Sequence, residues 1–436
     1  MAESGAAGDS VAETARIIAT AAVALKRRPR PLALACAVQH YDWGDPAYIP
    51  ALIGESNTCR RPFAELWIGA HPDLSSVAQI DGKSAPLSEL LSAAPDTLLG
   101  PRVSAAFRGR LPFLFKVLAA QQPLSVQVHP NLDQARAGFD RENHDGIPVD
   151  DPRRNYRDFN HKPELLVALT DFYALSGFRP LGEIARTLAV TPELAALAND
   201  IETNTDKPRD GLASLYQRLM RMPQHAVNTL LDPLISRLQT QSQKIPYNCD
   251  DRRYWLLRAD QVFSLPGRRD RGLFSILLLN LMYLRPGQAI YLPAGVLHSY
   301  LQGAGLELMA NSNNVLRGGL TQKHIDVDEL LNVISFDAGP AELIKPHGTG
   351  KGRLRYRVPT TEFELQSLSL RAGTRQRLKD SAIQLGLVLN GEMEIRGNNE
   401  MLRRQAGQSF LIPAGLESTF SAMKETNICL AGVPAE

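Results

Sequence analysis

PGQAIYLPAGVLHSY, Pro286–Tyr300, is the stretch from which the rest of the chain is read. It runs as a Gly turn, a short apolar strand, a Pro-x-Gly turn and a second strand that opens with His298. The same pattern returns at an offset of 120 residues as AGQSFLIPAGLESTF, Ala406–Phe420. Gly287/Gly407, Gln288/Gln408, Pro293/Pro413, Ala294/Ala414 and Gly295/Gly415 coincide, and most other positions are conservative. A hairpin used twice at this distance implies two related small β-barrels in one chain. One position separates the copies. His298 in the first is Ser418 in the second, so if the histidine is a metal ligand, only the first barrel can hold the metal.

Outward from this hairpin the chain sorts by composition. From Pro31 to about Phe178 short apolar runs are broken by Pro, Gly and Asn, among them Leu32–Val38, Leu66–Gly69, Phe113–Leu118, Leu124–Val128 and Leu165–Leu169, and these read as strands. Between about Pro180 and Gln243 Gly is nearly absent and apolar residues recur at helical spacing, which predicts a helical insertion of four or five helices. GLFSILLLNLMYLRPGQAIYLP then reads as a return to buried strands, and short strands and turns continue to the end. Residues 1–30 place an apolar run before a basic cluster, the reverse of a secretory signal, and read as a loosely docked helical extension.

Composition excludes several classes. The 436 residues carry 48 Lys+Arg against 46 Asp+Glu, a formal charge of +2, so no broad electrostatic footprint exists for nucleic acid or anionic lipid. Apolar runs fall short of the ~20 residues that a membrane span requires. Four scattered cysteines without a CxxC pair argue against a disulfide framework or a Cys zinc ribbon and fit a reducing cytoplasm.

Three segments carry chemistry. In QPLSVQVHP, Gln122–Pro130, Ser125, Gln127 and His129 alternate with Val126 and Val128, which puts a polar stripe on one strand face. In NHKPELLVAL, Asn160–Leu169, Lys162 and Glu164 share a face at the start of a strand. In Leu292–Val327, His298 and Tyr300 lie two apart, Glu307 follows in the next apolar run, Arg317 closes a polar loop, and Lys323 lies six residues on. Two imidazoles, a carboxylate and an amide oxygen on neighbouring strands suit Zn²⁺ with a position left for substrate, and two His with one carboxylate also suit Fe(II). Lys116, Lys162, Arg317 and Lys323 around them indicate an anionic substrate, with phosphate the natural candidate.

These residues sit in a longer ordered series: YDWG at Tyr41, AELWIGAHP at Ala64, FLFKVL at Phe113, LSVQVHP at Leu124, NHKPE at Asn160, YLPAGVLHSYLQG at Tyr291 and NNVLRGGLTQKHIDV at Asn313. The series resembles the type I mannose-6-phosphate isomerase (phosphomannose isomerase) family, zinc enzymes of the cupin class. The resemblance implies a mainly β fold with two cupin-like jelly-roll β-barrels and an α-helical domain. Its segments are an extension (1–30), a catalytic barrel in two parts (31–179 and 266–338), a helical insertion (180–265) and a C-terminal barrel without metal (339–436). It implies one zinc per chain held by Gln127, His129, Glu164 and His298. It implies that Lys116, Ser125, His161, Lys162, Tyr300, Glu307, Arg317, Lys323 and Trp43 handle the substrate. The family usually carries Asp-Asn before the arginine, whereas this chain has Asn313-Asn314, and an amide cannot accept a proton as a carboxylate does.

The implied reaction interconverts mannose 6-phosphate and fructose 6-phosphate through an enediol. Zinc and Arg317 would stabilise the enediolate, Lys162 or His161 would act in ring opening or move the carbon-bound proton, and Ser125, Lys116 and Lys323 would anchor the phosphate. A cupin-type Fe(II) oxygenase and a non-catalytic sugar-phosphate-binding protein are the alternatives. The expected partner is a small phosphosugar, with neither nucleic acid nor membrane, acting on a monomer in the cytoplasm.

Overall fold

Alternation and turn chemistry place most strands where the sequence puts them. The structure is a computed structural model that describes residues 3–202 and 208–435. Residues 1–2 of the extension, 203–207 of the helical insertion and residue 436 of the C-terminal barrel lie outside the described residues. Among those described, sheet predominates and thirteen α-helices accompany it. By its contacts the chain divides into two units. One comprises Met1–Ala119, Leu306–Asn311 and Ile344–Glu436, the other Ala120–Gly305 and Ser312–Leu343.

In the first unit a nine-stranded antiparallel sheet runs in the order His347–Gly350, Arg353–Tyr356, Glu364–Leu370, Thr426–Gly432, Gln384–Asn390, Ser409–Ile412, Leu32–Ala35, Val77–Ile80, Lys83–Pro86. Leu368, Val388, Phe410, Ile428 and Leu430 from this sheet pack with Met393, Ile395 and Phe420 from a four-stranded sheet into one apolar core. Glu65–Ile68 pairs with Phe113–Ala120 in the same unit, setting Trp67 opposite Lys116. The N-terminal helix, Glu3–Arg27, buries Ile18, Ala21, Ala22 and Leu25. Beyond its end the Arg28 guanidinium donates to the Asn398 carbonyl at 2.7 Å. Its second half is therefore fastened rather than loose.

In the second unit short strands carry the polar residues into register. Glu164 lies opposite Leu292, and Gln127 lies opposite both His298 and Arg317. Helices Leu181–Ala189, Ala195–Glu202, Pro208–Arg221, Gln224–Lys244 and Arg252–Phe263 occupy the stretch with helical spacing and its continuation, with Pro233 inside the fourth. Two elements differ from the sequence expectation. The largely apolar stretch Leu273–Leu278, broken only by Ser275, is helical before the chain turns into the strand Leu279–Leu284, since so short an apolar stretch carries no period to tell helix from strand. Leu132–His144 is also a helix, opened by a capping box in which Asn131 and Gln134 bond each other's backbone.

The repeated hairpin recurs in three dimensions. Strands Ala289–Leu292 and Ser409–Ile412 start and stop at matching positions, and Gly287, Gly295, Gly407 and Gly415 all have φ between 71° and 84°. A different constraint acts near the site. Gly319, at φ 124°, ends the strand that carries Arg317, and a Cβ there would stand 2.3 Å from the Gly272 Cα. Asp270 Oδ1 bolts this approach by accepting from Gly272 N–H and Leu320 N–H, each at 2.7 Å. Gly319→Ala should therefore cost about 3 kcal/mol or more through strain and overpacking, measurable as a lowered urea midpoint. An unchanged midpoint would refute the close-packing argument.

Candidate metal centre and anion site

The second unit gathers His129, Glu164 and His298 into one buried cluster, each 1–2% exposed, with one ligand atom from each lying within 4.8 Å of the others. His129 Nε2 stands 3.3 Å from Glu164 Oε1, and His298 Nε2 stands 3.5 Å from Glu164 Oε2. The far ring nitrogens settle the tautomers. His129 Nδ1 meets the Asn314 carbonyl at 2.8 Å and His298 Nδ1 meets the Val296 carbonyl at 2.9 Å. A carbonyl only accepts, so both Nδ1 atoms donate, and in the neutral rings both Nε2 lone pairs point at the carboxylate. His129 Nε2, His298 Nε2 and Glu164 Oε2 find no hydrogen-bond donor. Lone pairs and a carboxylate that face one another need a cation between them, and this donor set fits zinc.

Charge around the cluster follows from burial. Burial and the neighbouring Lys162 push the His129 imidazole down to about 4, although Glu164 pulls the other way. Burial works against ionising Glu164, yet Lys162, with Nζ 3.2 Å from Oε1, holds the carboxyl well below the usual carboxylate range. Gln127 is half-buried and shares its sheet face with His298 and Arg317 through their common register.

A second group is cationic. Burial and the nearby Arg157 lower the Arg317 guanidinium from its usual value, and burial, Arg317 and Arg157 lower Lys323 in the same way. No ion pair joins any of these three among the described residues. Three mutually repelling cations without a carboxylate form an anion site. The loop holding Arg157 is pinned by the buried Arg154. Its guanidinium donates to the Tyr156, Ile147 and Phe139 carbonyls and to Asn143 Oδ1, and pairs with Glu142 at 2.9 Å.

The first unit holds its own polar cluster. Lys116 Nζ lies 3.3 Å from Glu65 Oε1 and 3.0 Å from Glu307 Oε2, over the Trp67 ring at 5.3 Å. Trp67 Nε1 donates to Glu65 Oε2 at 2.7 Å. All four side chains are buried. Trp43, half-buried, stacks on Tyr41 with ring centroids 5.7 Å apart.

Register also shows what became of the metal set in the second hairpin. Glu164 opposes Leu292 as Gln384 opposes Ile412, and Gln127 opposes His298 as Leu378 opposes Ser418. Gly295 N–H donates to the His129 carbonyl, and Gly415 N–H donates to the Asp380 carbonyl. The positions of Gln127, His129, Glu164 and His298 are thus occupied by Leu378, Asp380, Gln384 and Ser418.

Of the residues named from the sequence, His129, Glu164, His298, Lys162, Gln127, Arg317 and Lys323 lie in the second unit in the relations above. Tyr300 is buried there with its ring 6.3 Å from that of His298, while His161 and Ser125 are half-buried. Lys116, Glu307 and Trp43 belong to the first unit. Sequence reasoning missed Arg157 and Glu65. RNYRD, Arg154–Asp158, contains two arginines just before NHKPE, and Glu65 alternates with Trp67 in AELW, but neither pattern names a partner. Asn313, where the resemblance leads one to expect a carboxylate, donates its N–H to the Asp158 carboxylate at 2.7 Å.

Comparison with known proteins agrees. Residues 32–181 match the family model "Phosphomannose isomerase type I, catalytic domain". Mannose-6-phosphate isomerase of Escherichia coli (strain K12) is 39% identical over 382 residues, 86% of this chain and 93% of that protein. The mannose-6-phosphate isomerase of Homo sapiens is 36% identical over 327 residues, 71% of this chain and 74% of that protein. A crystal structure of zinc-bound mannose 6-phosphate isomerase superposes with a TM-score of 0.83 at 34% identity, covering 93% of this chain and 100% of the other.

The depressed imidazole has a consequence for metal-free protein. Unfolded, His129 titrates near 6.5, and folded it titrates near 4, so between these values the unfolded chain binds the extra proton. Stability should fall as pH drops from about 6.5 toward 4, by roughly 3 kcal/mol at most. Protonation of Glu164 adds a further loss below the ordinary carboxylate range. Thermal unfolding of chelator-treated protein across this range should show the loss, and His129→Gln should flatten it. An equally steep profile in that variant would remove His129 as the cause.

Proposed function

The chain belongs to the type I phosphomannose isomerase family, and from that premise we propose how its residues divide the reaction. The protein is an aldose–ketose isomerase that interconverts mannose 6-phosphate and fructose 6-phosphate with a zinc cofactor. His129 Nε2, His298 Nε2 and Glu164 would hold the metal, with Gln127 as fourth ligand. The observation that carries this assignment is the set of three buried donors facing one another with both Nδ1–H groups turned away. Zinc bound there supplies a Lewis acid for the oxygens beside the two reacting carbons, where negative charge develops.

The chain's own groups supply the rest. Lys162, buried beside the metal set, is the base that carries the proton between C2 and C1. His161 assists ring opening. Arg317, on the sheet face of Gln127 and His298, steadies the enediolate oxygen. Lys323 and Ser125 anchor the phosphate, so that binding energy remote from the reacting carbons positions them. Tyr300, beside His298, lines the substrate's approach. In the first unit Lys116 is already matched by Glu65 and Glu307, so no phosphate charge is assigned to it.

The architecture is read as two cupin-like jelly-roll barrels, 31–179 with 266–338 and 339–436, around the insertion 180–265. The position-by-position match of the two hairpins supports this. The four cysteines are free, and no helix of the described residues is long and apolar enough to cross a membrane. We read the chain as a cytoplasmic monomer.

Metal analysis should find one zinc per chain, and Lys162→Met should keep that zinc while turnover falls by ~10³-fold or more. Near-normal turnover in Lys162→Met would eliminate it as the base. Arg157→Ala should raise KM for mannose 6-phosphate by about tenfold with a smaller change in kcat, the size expected for one charge-assisted hydrogen bond. An unaltered KM would detach Arg157 from the anion site.

A further inference from the structure

Asn314 joins the two groups that the reaction requires, and its side chain uses its whole bonding capacity to do so. It is fully buried, at 0% exposure. Oδ1 accepts from Arg157 N–H at 2.7 Å and Asp158 N–H at 3.1 Å. Nδ2 donates to the Asp158 and Asn160 carbonyls, both at 2.8 Å. Its own carbonyl accepts from His129 Nδ1, and its N–H bonds Ser312 Oγ at 3.2 Å. Two residues on, Leu316 begins the strand that sets Arg317 opposite Gln127.

We propose that Asn314 is a positioning residue that ties the ring of the metal ligand His129 to the loop carrying Arg157, so that the metal centre and the anion site are built and lost together. Only asparagine satisfies this place. Aspartate has no donor for the two carbonyls and would face Asp158 Oδ1, now 3.3 Å from Nδ2. Alanine would leave two amides and two carbonyls of the loop without their partner. Glutamine is one methylene too long for a site with no free surface. A side chain that merely stabilised the loop would set the fold's stability. This one also holds in place the backbone carbonyl of residue 314, which fixes the tautomer and direction of a metal-binding ring.

The proposal rests on the zinc reading and is tested with Asn314→Asp and, as a milder control, Ser312→Ala. Two properties of folded protein are measured. One is the rate at which zinc passes to a chelator, and the other is the affinity for inorganic phosphate by calorimetry. In Asn314→Asp zinc should leave at least ~10-fold faster and phosphate should bind ~10-fold more weakly, as expected when an outer partner of a ligand, here the backbone carbonyl of residue 314, is displaced. Ser312→Ala should change each by less than ~3-fold, since it removes one peripheral bond. Either property staying within about twofold of wild type in folded Asn314→Asp overturns the proposal. If that variant does not fold, hydrogen exchange on the wild type decides. Adding zinc to chelated protein should slow exchange of the Arg157 and Asp158 amides several-fold, and equal protection with and without zinc would overturn the link. A wild type that takes up no zinc overturns the metal reading as well, whereas uptake without the link overturns this proposal alone.

Discussion

A carboxylate taken out of water must be answered by positive charge, and Glu164 is the place where this protein meets that demand. Desolvating an ion of this size costs several kcal/mol even after relaxation. Lys162 at 3.2 Å answers part of it, and the two imidazoles with their lone pairs turned inward leave room for a cation to answer the rest. The surrounding backbone is arranged to keep that geometry. The Asn314 and Val296 carbonyls fix the ring tautomers, and register brings Gln127 between His298 and Arg317. The groups that serve the chemistry follow from the same charge balance. In the proposed reaction the lysine held by Glu164 would take the proton on carbon, and the arginine on the neighbouring strand would face the oxygen beside it.

The second hairpin shows the same backbone relieved of this demand. Leu378, Asp380, Gln384 and Ser418 replace the four metal-set residues, and Gln384 bonds Asp380 at 3.2 Å instead of facing a cation. Apolar side chains, Phe410 and Phe420 among them, fill the core alongside. Losing His298's counterpart alone would have left three donors. The register shows that neither histidine nor the glutamate has a counterpart of its own kind in the second hairpin.

Part of the site was legible in the sequence from spacing by two. His298 and Tyr300 share a strand and hence a face, whereas His129 and Lys162 lie just beyond the strands Val126–Val128 and Glu164–Ala168, where the period of two no longer dictates direction. The helical insertion was legible from its period and its lack of glycine. The helix at Leu273–Leu278 was not, because five apolar residues around a single Ser275 fit a buried strand equally well. Lys116 looked like a free cation because its partners, Glu65 and Glu307, are 51 and 191 residues away. Arg157 was overlooked for a related reason. Its place is set by the Arg154 and Asn314 hydrogen bonds, which no local pattern announces. Gly319 gives no local sign of its duty, which is to let the Gly272 backbone come close.

Zinc-edge X-ray absorption on the loaded protein addresses the metal assignment most directly. The account predicts nitrogen and oxygen neighbours only, at ~2.0–2.2 Å, with the outer scattering of two imidazole rings and no sulfur near ~2.3 Å. A sulfur neighbour, or a spectrum without two imidazoles, would contradict the assignment of His129, Glu164 and His298 as the metal centre.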